Sequence, residues 1–235
     1  MKKKLSAVIL LALSVLVVVG CRKPESEPVP RHDSVPIQDT VPDVTIEDWV
    51  DLDLPSGLLW ATRNVGADSA EDYGDYFAWG ETSPKSEYNW STYRYCNYNS
   101  TTGSVMFTMY TGNNGLTTLM PGDDAATANY GGRTPTAEEW HELITNTTSR
   151  WTIQNGVKGR RFTAANGNSI FLPAAGYRWD DGVFDTVTDG YYWSSTLFSE
   201  TPFNACVLAF TSGGQEEAST YRGNGHSVRA VRSEQ

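Results

Sequence analysis

The sequence predicts an α+β domain of short, irregular, mostly antiparallel strands with about two helices and long loops. Three observations carry this expectation. Turn dipeptides punctuate the chain at Asn155-Gly156, Asn166-Gly167, Asp181-Gly182, Asp189-Gly190 and Asn224-Gly225. Short β-rich runs lie between such turns. Only two segments carry helix signals.

The first twenty residues read as an export signal. Lys2, Lys3 and Lys4 precede an apolar run from Leu5 to Val19, which closes in Val18-Val19-Gly20-Cys21. A basic start, an apolar stretch and a small residue before the cut make a secretory signal peptide over 1–20. The run is shorter than the roughly 20 residues a membrane span needs. A cysteine directly after the cut resembles a bacterial lipobox, in which the thiol carries lipid. Cys21 is therefore the expected lipid attachment, with the membrane as a partner through that lipid. The expected location is the bacterial cell envelope, at the outer membrane or cell surface.

Residues 21–44 are rich in Pro, Glu, Asp and Val, with Pro24, Pro28, Pro30, Pro36 and Pro42 spaced along them. Such a stretch buries too little surface to fold and reads as an extended, disordered stalk. The folded domain is expected over 45–235. After processing, the chain keeps 15 of its 18 basic residues against 28 acidic ones. That balance keeps an exported protein soluble and argues against nucleic acid as a partner.

Within the domain, strands are expected at 58–62, 76–79, 160–164, 169–172, 191–197, 205–211 and 227–231. From Ala205 to Phe210 the run is apolar throughout, which suits a strand covered on both faces. One helix is expected around Asp123-Asp124-Ala125-Ala126-Thr127-Ala128. The other opens at Thr136, with Glu139 three residues later as a capping box. It sets Trp140, Leu143 and Ile144 on one face at i, i+3 and i+4. Residues 97–121 show no period and read as a long loop. Trp60, Trp79 and Trp193 alternate with small residues and are expected in the core.

Eight strings occur in order: DLDLPSGLLWATRNVGA, EDYGDYFAWGET, YRYC, DDAAT, RTPTAEEWHEL, NGNSIFLPAAGYR, YYWSST and GHSVRAVR. Together they resemble the Fibrobacter succinogenes major paralogous domain family of exported bacterial lipoproteins, over about 51–232. The pattern departs before the second helix, where the family has an insertion between Gly132 and Thr134. The resemblance implies a C-type-lectin-like fold, related to formylglycine-generating enzymes and to receptor-binding proteins diversified by retroelements. In such folds the loops near the C-terminal strands form the contact surface.

Few signs of catalysis are present. His32 lies in the stalk, His141 in the second helix and His226 in a turn, and they show no metal-ligand spacing. No nucleophile elbow, P-loop or dinucleotide fingerprint occurs. No catalytic residue and no resident metal are expected, and the chain is read as a non-enzyme. Asp51/Asp53, Asp123/Asp124 and Asp180/Asp181 offer oxygens that calcium favours, without a complete loop signature. A helix start attracts acid for dipole reasons, which accounts for Asp123 and Asp124 without metal. Export would allow a Cys96–Cys206 disulfide, and a buried free thiol is equally at home at Cys206.

Binding residues are sought in the turns of the C-terminal half. Trp179, Asp180 and Asp181 form one group; Phe198, Glu200 and Phe203 form a second. Tyr221, Arg222 and Asn224 form a third. The expectation is that the three segments meet at one end of the domain and bind a glycan or a protein. The alternatives are a structural subunit of a surface assembly or appendage, and an oxidase like formylglycine-generating enzymes, which would use Cys96 and Cys206. Four Asp-Ser/Thr-aliphatic triplets, starting at Asp33, Asp39, Asp68 and Asp185, resemble O-glycosylation sites of exported bacterial proteins.

Overall fold

A computed structural model describes residues 48–234. The segments read from the sequence as signal peptide and stalk, with Cys21 between them, lie outside the described residues. The first strands are β1 (Trp49–Asp51), β2 (Leu58–Asn64), β3 (Cys96–Asn99) and β4 (Ser104–Phe107). Two helices follow, α1 (Ala125–Asn129) and α2 (Ala137–Asn146). The remaining strands are β5 (Thr148–Gln154), β6 (Val157–Thr163), β7 (Ser169–Pro173), β8 (Tyr177–Trp179) and β9 (Gly182–Phe184). Last come β10 (Gly190–Leu197), β11 (Asn204–Thr211), β12 (Gly214–Tyr221) and β13 (Arg229–Ser233).

The class is α+β. Three small sheets have the orders β1-β2-β13, β5-β6-β7 and β10-β11-β12, and β3-β4 and β8-β9 are two-stranded hairpins. Every named strand pair is antiparallel. β11 is the middle strand of its sheet, and its apolar residues from Val207 to Phe210 are all buried.

α2 forms where its cap is written. The Thr136 hydroxyl accepts from the Glu139 N–H (3.2 Å), and the Glu139 carboxylate accepts from the Thr136 N–H (2.9 Å). Trp140 and Leu143 are buried, and Ile144 packs at the margin of the same cluster. That cluster joins α2 to β2, β6, β7 and β11 through Trp60, Phe162, Leu172 and Leu208. Truncating a buried tryptophan of this kind to alanine typically costs about 3–5 kcal/mol.

A second cluster holds Phe77, Trp79, Tyr88, Tyr93, Tyr110, Trp193 and Val207. The register of β10 shifts between Trp193 and Leu197. The carbonyls in this irregular stretch serve other partners. Trp193 O accepts the Trp140 indole N–H (3.1 Å), and Ser194 O accepts that of Trp79 (2.8 Å). The Trp193 indole donates to Phe77 O (2.7 Å). Three buried indoles thus find backbone acceptors, which buried polar groups require.

Two expectations need correction. Residues 97–121 are not one loop, because β3 and β4 form a hairpin there. Its turn is set by Asn99, whose side chain accepts from the N–H groups of Thr101 and Thr102, with Gly103 at φ +70°. Residues 76–79 are not a strand; Phe77 makes a single bridge to His226. The first helix lies where expected, as a 3-10 turn (Pro121–Asp123) followed by the short α1. Of the two states left open for Cys96 and Cys206, the structure has the free thiols. Cys96 donates to Trp90 O (3.1 Å), and Cys206 sits on β11 opposite Ser219 of β12.

Candidate ligand-binding surface

Segment 85–92 carries the surface. Asn89 opens a tight turn, its Oδ1 accepting from the N–H groups of Ser91 (3.0 Å) and Thr92 (3.2 Å). Tyr88 is buried and exchanges backbone hydrogen bonds with Asp180 (2.8 and 2.9 Å). Asn89 Nδ2 then donates to Asp180 Oδ1 (3.0 Å). Arg178 lies over the Tyr88 ring, 5.1 Å from its centroid, and donates to the carbonyls of Lys85, Ser86 and Asp181. The β8-β9 hairpin is thereby fixed against this segment. Asp180, in its two-residue turn, takes φ +49°, a conformation that Asp tolerates better than most residues.

Trp90, half-buried, meets the other segments. Its ring lies edge-on to Phe203 (5.8 Å), Tyr221 (5.7 Å), Phe107 (5.8 Å) and Tyr93 (5.8 Å). Phe107 and Phe203 also touch edge-to-face at 5.0 Å. Two residues earlier along the segment, Tyr88 packs against Gly225, where a Cβ would come within 2.7 Å of its ring. Beside Trp90 lies an open cavity of about 260 Å³, lined by Asn89, Ser91, Tyr98, Trp179 and Asp180. Three rings here reach solvent: Tyr98 at 40%, Phe203 at 37% and Tyr221 at 52%. Aromatic rings with a polar rim are the material of binding surfaces.

The candidate residues therefore divide. Trp179, Asp180, Phe203 and Tyr221 come together around Trp90, and Asp181 completes the adjoining turn. Phe198 lies elsewhere, with Cys206, Trp140 and Glu217 around a cavity of about 340 Å³ between α2 and the β11-β12 ladder. Glu200 is exposed in the turn before β11, outside the Trp90 cluster.

Arg222 is no surface residue; it is fully buried. Its guanidinium sits 4.1 Å from the Phe107 ring centroid, 5.4 Å from that of Tyr93 and 5.5 Å from that of Trp79. It donates to Tyr110 O at 2.9 Å, while its own N–H binds Phe203 O. Burial lowers its pKa. Arg222 supports the aromatic surface from beneath rather than contacting a ligand. Asn224 is also buried and lines a separate polar cleft of about 230 Å³ with Thr220, His226, Tyr177, Tyr191 and Asp185.

The acidic pairs have local partners. Asp123 accepts from the hydroxyls of Tyr95 and Tyr110. Asp124 caps α1, accepting from Ala126 N–H (2.9 Å), and also from Thr134 N–H (2.8 Å) and Thr134 Oγ1 (2.6 Å). Asp51 accepts from the Asp53 N–H. Among the described residues no group of three or more His, Cys, Asp or Glu side chains is arranged to hold a metal ion. Burial pushes the Cys206 thiol up to about 11 and raises that of Cys96. Among the described residues no helix is long and apolar enough to cross a membrane.

Trp90, Asn89 and Tyr98 are the members that sequence reasoning missed. Trp90 and Tyr98 stand in an aromatic-rich stretch where most of the other rings (Phe77, Trp79, Tyr88, Tyr93 and Tyr95) are buried. The polar frame Asn89-Trp90-Ser91 was the available signal that this ring sits on a turn at the surface. Compared with known proteins, the chain matches no family model, no curated protein and no solved structure.

Proposed function

We propose that this chain is a lipid-anchored protein of the bacterial cell envelope whose domain binds a glycan or protein ligand without catalysis. In this reading Cys21 carries the lipid and the stalk holds the domain off the membrane. The domain is C-type-lectin-like and of the Fibrobacter succinogenes major paralogous domain type. Support for the fold comes from small antiparallel sheets, two helices and loops that gather beside the C-terminal strands. The single observation that carries binding is Trp90, which gathers Trp179, Asp180, Phe203 and Tyr221 from three separate segments onto one partly exposed aromatic surface.

Glycan arrays and pull-downs from envelope extracts with the full-length chain test the reading. Removing a central aromatic from such an interface costs at least about 2 kcal/mol, more than tenfold in affinity. Trp90→Ala and Tyr221→Ala should each cause that loss for the ligand found. Undiminished binding by both variants overturns the assignment of the surface.

A further inference from the structure

The cleft beneath the β8-β9 hairpin holds polar groups that the fold leaves without partners. His226 is 1% exposed, and neither ring nitrogen makes a hydrogen bond. Its imidazole is walled by Trp193 (4.3 Å), Tyr191 (5.4 Å) and Tyr177 (6.0 Å). Asn224, at 8% exposure, donates through Nδ2 to Thr220 Oγ1 (3.0 Å), and its Oδ1 is unpartnered. Buried polar atoms are rarely left so, and each such atom calls for an explanation.

His226, Asn224 and Thr220 line one cleft with Tyr177, Tyr191 and Asp185. Asp185 reaches its rim from a strained loop, where Asp185 and Val187 take φ +56° and +64°. A β-branched residue at positive φ is an outlier that surrounding structure must enforce, and such strain gathers at functional sites. Here the Val187 N–H is tied to Ala174 O (2.9 Å).

We propose that this cleft binds one ring of a neutral saccharide, hydrogen-bonded by His226, Asn224 and Thr220 and packed against Tyr177 and Tyr191. The chemistry selects that class. Burial drives the His226 pKa down to about 3, so the imidazole is neutral, with one nitrogen donating and one accepting. A sugar hydroxyl also donates and accepts, so it serves either nitrogen and the Asn224 oxygen. The quaternary ammonium group of a ligand such as choline neither donates nor accepts a hydrogen bond and leaves both imidazole nitrogens unpaired. An anion meets the carboxylates of Asp185, Asp189 and Glu216, which act on Tyr191. The volume, about 230 Å³, is below the ~300 Å³ at which drug-sized pockets begin, so one ring fits the scale. The inference rests on this cleft alone and holds whether or not the Trp90 surface binds a ligand.

The test is ligand-observed saturation-transfer NMR on the full-length chain. The probes are the methyl glycosides of glucose, galactose, mannose and N-acetylglucosamine, with choline and acetate alongside. At least one glycoside should bind at millimolar concentration, more tightly than choline or acetate. Thr220→Val and His226→Phe should each weaken it roughly tenfold, and Ile153→Ala, at an exposed position on β5, should leave it unchanged. Should His226→Phe fail to fold, Thr220→Val, a strand-compatible change, decides. No glycoside binding, tighter binding of choline or acetate, or an undiminished signal in Thr220→Val overturns the proposal.

Discussion

Asp124 offers a quantitative test of how this fold is held, because one buried carboxylate serves several donors at once. It accepts from the N–H groups of Ala126 and Thr127 at the start of α1, and from both the N–H and the hydroxyl of Thr134. Thr134 is itself buried, so Asp124→Ala leaves its donors without water. Losing the cap costs about 1 kcal/mol. Each hydrogen bond to a charged group contributes about 1.5–3 kcal/mol, and these are not fully additive. The expected loss is about 4 kcal/mol. For a domain of this size each kcal/mol moves the melting midpoint by about 2–4 °C, so the drop is about 8–16 °C. Asp124→Asn keeps one acceptor oxygen and turns the other into a donor facing the Thr134 hydroxyl or N–H, so it should lose roughly half as much. Calorimetry with and without a calcium chelator reads both effects. A fall below about 3 °C in Asp124→Ala refutes the hydrogen-bond accounting. A wild-type midpoint that drops on chelation refutes the claim that these donors alone satisfy the carboxylate.

Three further outcomes follow from buried titratable groups. The folded pKa of His226 lies near 3, below the ordinary value of 6.5, so between these pH values the unfolded chain binds the extra proton. Its contribution is fully present above pH 6.5 and is lost as pH falls towards 3, with a slope approaching about 1.4 kcal/mol per pH unit. Urea unfolding across that window should show a shallower dependence in His226→Phe, and identical slopes would refute the burial argument. Cys96 and Cys206 are free and their thiols are raised by burial, so alkylation at neutral pH should be slow in the native chain and fast in urea. Intact mass after mild oxidation should show no Cys96–Cys206 bond; a loss of two hydrogens mapped to that pair would contradict the structure.

Local signals in the sequence located the elements that local chemistry decides. Thr136 and Glu139 wrote the start of α2, and the run from Ala205 to Phe210 wrote a covered middle strand. Trp60, Trp79 and Trp193 are buried, as their small neighbours suggested. The failures share a cause, which is partners far along the chain. Phe77 looked like strand because it is apolar in an aromatic run, yet its one ladder partner is His226. Arg222 looked like a surface cation because it lies in a turn just before the last strand; Phe107 and Tyr110, more than a hundred residues earlier, enclose it. The β3-β4 hairpin is short and largely exposed, and β4 carries Val105, Met106 and Phe107 in a row, so no polar-apolar alternation betrayed it. One or two residues of each expected binding segment meet, but through Trp90, which lies in none of them, while Phe198 and Asn224 line other cavities.

Hydroxyl-radical footprinting, with and without the captured ligand, tests that meeting point most directly. The account predicts that Trp90, Tyr98, Phe203 and Tyr221 lose reactivity together on binding, while Ile153, exposed on β5, keeps its own. Protection of other faces with all four rings still reactive would contradict it.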